Sequence, residues 1–154
     1  MMNFNNIQNQ YQWVQYCGQN TPNVTYVFVL KQPVQRLHGA SDILYVGETL
    51  QPISRRYTQE TNTNNTPSNT QQTNIRLTHI FGLLGLANVT CYFTDTMQCV
   101  IPPNDPFLQH LATWDKKYYR GVVNNNPIQV SLEKKLIVTY AVDHLEVPPL
   151  NNRM

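Results

Sequence analysis

Charge is what this chain has least of. Asp, Glu, Lys and Arg make up 13% of its 154 residues and sum to +2, against about 25% in an ordinary soluble domain. So even a balance rules out assigning a partner from bulk electrostatics, because there is neither a basic coat nor an acidic tail. Asn, Gln and Thr supply much of the surface polarity instead. Cysteine is sparse as well. Cys17, Cys91 and Cys99 are odd in number and widely spaced, which excludes a disulfide framework and a zinc knuckle and suits a reducing, intracellular setting. Long apolar runs are missing: "IFGLLGLANV" is too short to cross a bilayer, and "MMNFNNIQNQ" has neither the basic region nor the apolar core of a secretory signal. A soluble, non-secreted protein without membrane association is expected.

The length suits one domain that folds without metal or disulfide support. Residues 1–22 are polar with scattered aromatics (Tyr11, Trp13, Tyr16) and read as an arm or short helix laid on a domain spanning 23–154. "NVTYVFVLK" and "DILYVG" are β-branched and aromatic, hence strands, joined by a connection containing Pro33 and Gly39 that suits a long hairpin. Pro52 opens a helix, with Ile53 and Tyr57 one turn apart and Arg55 and Arg56 adjacent on it. An Asn/Thr/Gln tract over 60–74 reads as a surface loop. "IRLTHIFGLLGL" has helical spacing, "NVTCYFT" reads as a third strand, and Asp105 and Pro106 start a further helix. Asn126, Pro127 and Gln129 form a capping box for a last helix running from Pro127 to about His144. The expected class is α/β (α+β), a small, mainly antiparallel three-stranded sheet flanked by helices.

On that last helix Glu133 falls in the middle of the apolar face, among Val130, Leu136, Ile137 and Tyr140, whereas Lys134 and Lys135 turn towards water. An inward carboxylate requires a cation, a metal or several donors. Two readings remain open, a salt bridge to an arginine and a ligand for a hard cation. Tyr26 shares a strand face with Val24, Phe28 and Leu30, and Tyr45 is placed with Ile43. Alone, each tyrosine is a core aromatic and each arginine a solvated helix end. Together with an inward glutamate they form a less ordinary set.

That set resembles the GIY-YIG nuclease family. "VTY" corresponds to the first family motif, with Tyr26 in the place of its tyrosine, and "YVGET" from Tyr45 to Thr49 is similar to the second. Ile53 and Arg56 occupy the positions of the following apolar residue and arginine, with Arg55 as the runner-up. "SLEKKLIVTYAVDHLEVPPLNN" resembles the last family helix and its ending, which puts Glu133 and Asn151 on family positions. Val24 and Thr25 depart from the first motif, and Glu60 stands where many members carry a histidine or tyrosine. A carboxylate there could bind a second cation, orient the water or mark altered activity; His79 and His110 are candidate substitutes.

The resemblance implies a metal-dependent endonuclease acting on duplex DNA. Tyr26 would take a proton from the attacking water or orient it, Tyr45 would hydrogen-bond the water or phosphate, and Arg56 would clamp the non-bridging oxygens. Glu133 would hold one Mg²⁺ or Mn²⁺, and Asn151 would support the phosphate or the glutamate. Because only about one unperturbed phenol in a thousand is ionised at pH 7, metal and arginine are expected to lower the Tyr26 pKa. Arg55, Lys116, Lys117 and Arg120, together with the Asn/Gln tract, are candidate DNA contacts. A stand-alone enzyme of this size resembles the restriction-type members that bind palindromic sites as dimers. A non-catalytic nucleic-acid binder and a nuclease acting on RNA are the alternatives.

Overall fold

β-branched and aromatic residues build a hairpin at the centre of the fold, β2 (Val24–Gln35) against β3 (Ala40–Thr49). The computed structural model describes residues 1–61, 82–101 and 128–151. Outside them lie the Asn/Thr/Gln tract from 62 onward, the expected helix from Asp105, and His79, His110, Lys116, Lys117 and Arg120. β4 (Val89–Asp95) pairs antiparallel with the other side of β2. The third strand expected at "NVTCYFT" is therefore in place.

Two features of this sheet differ from the sequence reading. It has a fourth strand, β1 (Val14–Gln15), giving the order β1-β4-β2-β3. The hairpin connection is also mostly strand: β2 runs on to Gln35, and the chain turns at Gly39 with φ +73°, a conformation glycine adopts without steric cost. Pro33 falls within an irregularity of register between Val29 and Val34, where a missing ladder N–H is tolerated.

A β-bulge decides which side chains meet. Phe28 pairs with Tyr45 but Val29 pairs with Ile43, leaving Leu44 as the extra residue on β3. Ile43 and Tyr45 thus separate, against the expectation that they share a face. Ile43 joins Val27, Val29 and Val46 in one cluster; Tyr45 joins Tyr26, Phe28 and Ile53 in the other. Helix α2 (Ile53–Thr61) covers the tyrosine face.

The opposite face is covered by α1 (Phe4–Ile7), capped by Asn3, and by the last helix, α3 (Leu132–His144). Phe4 stacks on Tyr92 at 4.1 Å, and its backbone N–H donates to Asp42 at 2.8 Å. Helix α3 begins five residues later than the capping box predicts. Residues Ile128–Ser131 instead form β6, paired with β5 (Gln98–Ile101), and Ser131 is the cap that accepts from the Lys134 N–H at 3.3 Å. Local capping preference at Asn126 yields here to strand pairing by β-branched residues. The helix ends at Leu145, held in the left-handed region at φ +61°. His144 is fully buried, its ring nitrogens 2.7 and 2.9 Å from the carbonyl oxygens of His38 and Met2, so it ties helix, hairpin and N-terminus together.

Candidate active site

Gly47 lies opposite Tyr26 in the β2–β3 register and two residues from Tyr45. A Cβ at Gly47 would come within 2.6 Å of the Tyr26 hydroxyl and 2.7 Å of the Tyr45 ring edge. The glycine is therefore a requirement of close approach, since the two phenols converge over the space it leaves. Their ring centroids are 6.0 Å apart. Tyr45 is near enough to feel the Glu60 and Glu133 carboxylates, both of which raise its pKa.

Helix α2 brings Arg56 and Glu60 to the same place, one turn apart on one face. The Tyr26 hydroxyl donates to Glu60 Oε1 at 2.6 Å, while Arg56 Nε donates to that carboxylate oxygen at 3.0 Å and to the Tyr26 hydroxyl at 3.3 Å. The Glu60 side chain is 0% exposed and that of Arg56 26%. The guanidinium is thus anchored through Nε while part of the side chain still reaches solvent. Arg55, the adjacent candidate, is exposed and does not join this cluster.

These surroundings set the proton affinities. Burial, then the Glu60 carboxylate, holds the Tyr26 phenol well above its ordinary value of 10, and Arg56 offsets only part of the shift. Arg56 by itself therefore does not bring the phenol below its ordinary value, because a fully enclosed phenolate loses more hydration than one arginine returns. Tyr45 is raised chiefly by burial as well. Glu60 is pushed up to about 7 by burial, although the hydrogen bonds from Tyr26 and Arg56 favour its ionised form.

Glu133 stands in the first turn of α3 and is half-buried, on the side of the helix that carries Leu136, Ile137 and Tyr140. Burial raises its pKa, and the neighbouring Glu48 raises it further, with Lys134 and Arg56 opposing. Glu48 belongs to the "YVGET" segment. Its meeting with Glu133 depends on the sheet register, which no local pattern reveals. Two oxygen-rich side chains repelling each other suit a hard divalent cation, which favours carboxylate ligands and would relieve the repulsion. Among the described residues no group of three or more His, Cys, Asp or Glu side chains converges in this way.

Asn151 has a different task from the expected one. Its amide accepts from the Val46 N–H at 3.0 Å and donates to the Val46 carbonyl at 2.9 Å. Both polar ends are engaged by the edge of β3, so the structure gives the side chain a role in holding that strand. Glu60 likewise turns inward to Tyr26 and Arg56, which argues against its role as a second cation ligand. Tyr26, Tyr45, Arg56 and Glu60 are brought together, with Glu133 beside Tyr45.

The chain is similar in structure to a Glu-to-Ala mutant of bacteriophage T4 EndoII, with a TM-score of 0.50 and 13% identity over 96% of this chain and 98% of that one. At that identity the likeness concerns the fold, a mixed α+β arrangement around an antiparallel sheet. No family model matches the sequence, and no curated protein matches it significantly. No helix among the described residues is long and apolar enough to cross a membrane.

Proposed function

We propose that this protein is a metal-dependent endonuclease of the GIY-YIG type that hydrolyses phosphodiester bonds in duplex DNA, with the sequence specificity of a restriction enzyme. The single observation that carries this reading is the convergence of Tyr26, Tyr45 and Arg56 over Gly47, with Glu133 reaching the same end of the sheet from another element. The likeness of fold to bacteriophage T4 EndoII adds support.

Arg56 presents the exposed part of its side chain to the scissile phosphate and neutralises charge growing on the non-bridging oxygens. Its orientation is fixed in advance by Glu60 and Tyr26, so little is lost in ordering it when substrate arrives. Tyr45, beside Tyr26 and within the field of Glu60 and Glu133, positions the attacking water. Glu133 would hold one Mg²⁺ or Mn²⁺, which when bound polarises the phosphate. Exposed Arg55 supplies a contact to the DNA backbone; Lys116, Lys117 and Arg120 are further candidate contacts on the strength of their charge alone. A palindromic site would be met by two copies of the chain.

Supercoiled plasmid incubated with Mg²⁺ or Mn²⁺ tests this directly, beside a Glu133→Gln variant. Discrete fragments lost in the variant are expected. Nicking or smearing would retain the nuclease and remove the restriction specificity. Enclosure of the Tyr26 hydroxyl favours one rival, a non-catalytic DNA binder, and intact plasmid with a retained gel shift would establish that rival instead. Preferential cleavage of RNA would change the substrate.

A further inference from the structure

Strands β5 and β6 pair as a separate two-stranded ribbon, and its two faces differ in kind. Cys99 and Val130 stand opposite each other, are buried and belong to the apolar cluster under α1 and α3, so they anchor the ribbon to the domain. Alternation then puts Gln98 and Val100 of β5, and Gln129 and Ser131 of β6, on the other face. Gln98 and Gln129 are exposed, and Val100 is 62% exposed directly across from Gln129. Singly exposed apolar residues are ordinary. Here the valine shares a narrow face with two primary amides, and none of the four side chains is ionisable. Such a face is unsuited to neutralising phosphates, which is work for Lys and Arg. It suits base edges, because a primary amide pairs bidentately with adenine N6 and N7 and an apolar side chain packs on a thymine methyl.

The chain path sets how far this face lies from Glu133. β6 runs directly into α3, and Glu133 is four residues beyond Gln129. At no more than about 3.6 Å per residue their Cα atoms are within about 14 Å, or about four base-pair steps. Gln98 pairs with Ser131, two residues from Glu133, and is held at a similar distance. The junction is tied down as well: the Leu132 N–H donates to the Met97 carbonyl at 2.9 Å, and the Ser131 cap fixes the first turn of the helix. A duplex whose scissile phosphate reaches Glu133 therefore passes beside the ribbon.

We infer that the outer face of the β5–β6 ribbon reads bases in the major groove next to the cut, Gln98 and Gln129 taking adenines and Val100 a thymine methyl. The inference rests on the nuclease reading above and deepens it by assigning the specificity to A·T pairs within about four base pairs of the scissile bond. A two-stranded ribbon fits that groove, which is about 12 Å wide. Charged residues elsewhere hold the backbone, and this uncharged face supplies the discrimination.

A pool of duplex oligonucleotides of randomised sequence, cut in Mn²⁺ and sequenced at the new ends, tests the assignment in wild type, Gln98→Ala, Gln129→Ala, Gln129→Glu and Gln35→Ala. Wild type should prefer A·T over G·C by about tenfold or more at positions that close to the cut. Each alanine change at Gln98 or Gln129 should flatten the preference at one such position by about tenfold, with the rate on poorly matched sites retained. Gln129→Glu, whose carboxylate accepts from cytosine N4, should move its position towards C·G. Gln35→Ala, exposed at the hairpin end of β2, should change nothing. Preferences identical in wild type, Gln98→Ala and Gln129→Ala would overturn the ribbon as reader and leave the nuclease standing, and so would cleavage without sequence preference. Absence of wild-type cleavage would overturn both readings.

Discussion

Asn151 completes the free edge of the sheet: its side-chain amide pairs with the N–H and C=O of Val46, at 3.0 and 2.9 Å, as another strand's backbone would. Leu150 adds a backbone bond to Leu44 at 3.1 Å. The chain end thus holds the strand on which Tyr45 and Gly47 stand, and the effect of Asn151 on the site passes through that strand.

Asn151→Ala leaves a buried N–H and C=O of Val46 without these partners and should cost about 2–3 kcal/mol of stability. Asn151→Asp keeps the acceptor but sets a carboxylate against the Val46 carbonyl, and should destabilise as well. Urea unfolding midpoints decide it; an unchanged midpoint for both variants would show the pairing to be dispensable.

Gly47→Ala forces a methyl group to within 2.6 Å of the Tyr26 hydroxyl. Overpacking of this kind costs about 1–3 kcal/mol, and it should displace both tyrosines. Near-ultraviolet circular dichroism should change, and plasmid cleavage should fall further than the stability loss alone explains.

Arg56→Lys retains the positive charge but removes the Nε donor shared by Tyr26 and Glu60. Cleavage should drop about 100-fold, because a flexible ammonium cannot reproduce a fixed planar clamp. The matched Arg55→Lys change, at an exposed position outside the cluster, should weaken DNA binding only slightly. Equal losses in the two variants would reverse the choice between these arginines.

Glu60 binds its proton more tightly when folded, at about 7 against 4.5. Stability from this group is therefore full below pH 4.5 and is lost as pH rises through about 7. Relative to Glu60→Gln, which does not titrate, wild type should lose up to about 3 kcal/mol across that window. Parallel denaturation curves at about pH 5, 6, 7 and 8 measure the difference, and the subtraction removes the contribution of Glu133. A gap that stays constant with pH would contradict the burial argument.

Much of the fold can be read in the chain. Val24–Lys31, Ile43–Val46 and Val89–Thr94 are dense in β-branched and aromatic residues, and three strands lie there. Pro52 marks the start of α2 because its ring suits a first helical turn. The start of α3 could not be placed in the same way, since Asn126 and Ser131 are both good caps and pairing between β5 and β6 chooses the second. The bulge at Leu44 was equally hidden: strict alternation would put Ile43 and Tyr45 together, and only the partner strand reveals the extra residue.

The sequence by itself determined the inventory: two tyrosines on neighbouring strands, an arginine on the next helix with a glutamate four positions on, and a carboxylate on the last helix, whereas the structure decided that Glu60 belongs to α2 and not to the loop expected over 60–74. Spacing within an element depends on a fixed helical or strand period, so such pairs can be read locally. Tertiary structure alone decided that Glu60 faces Tyr26, that Glu48 faces Glu133 and that Asn151 serves the sheet edge. Those contacts join residues far apart in the chain, through register, bulge and burial, and their proton affinities follow from how much water the completed fold excludes.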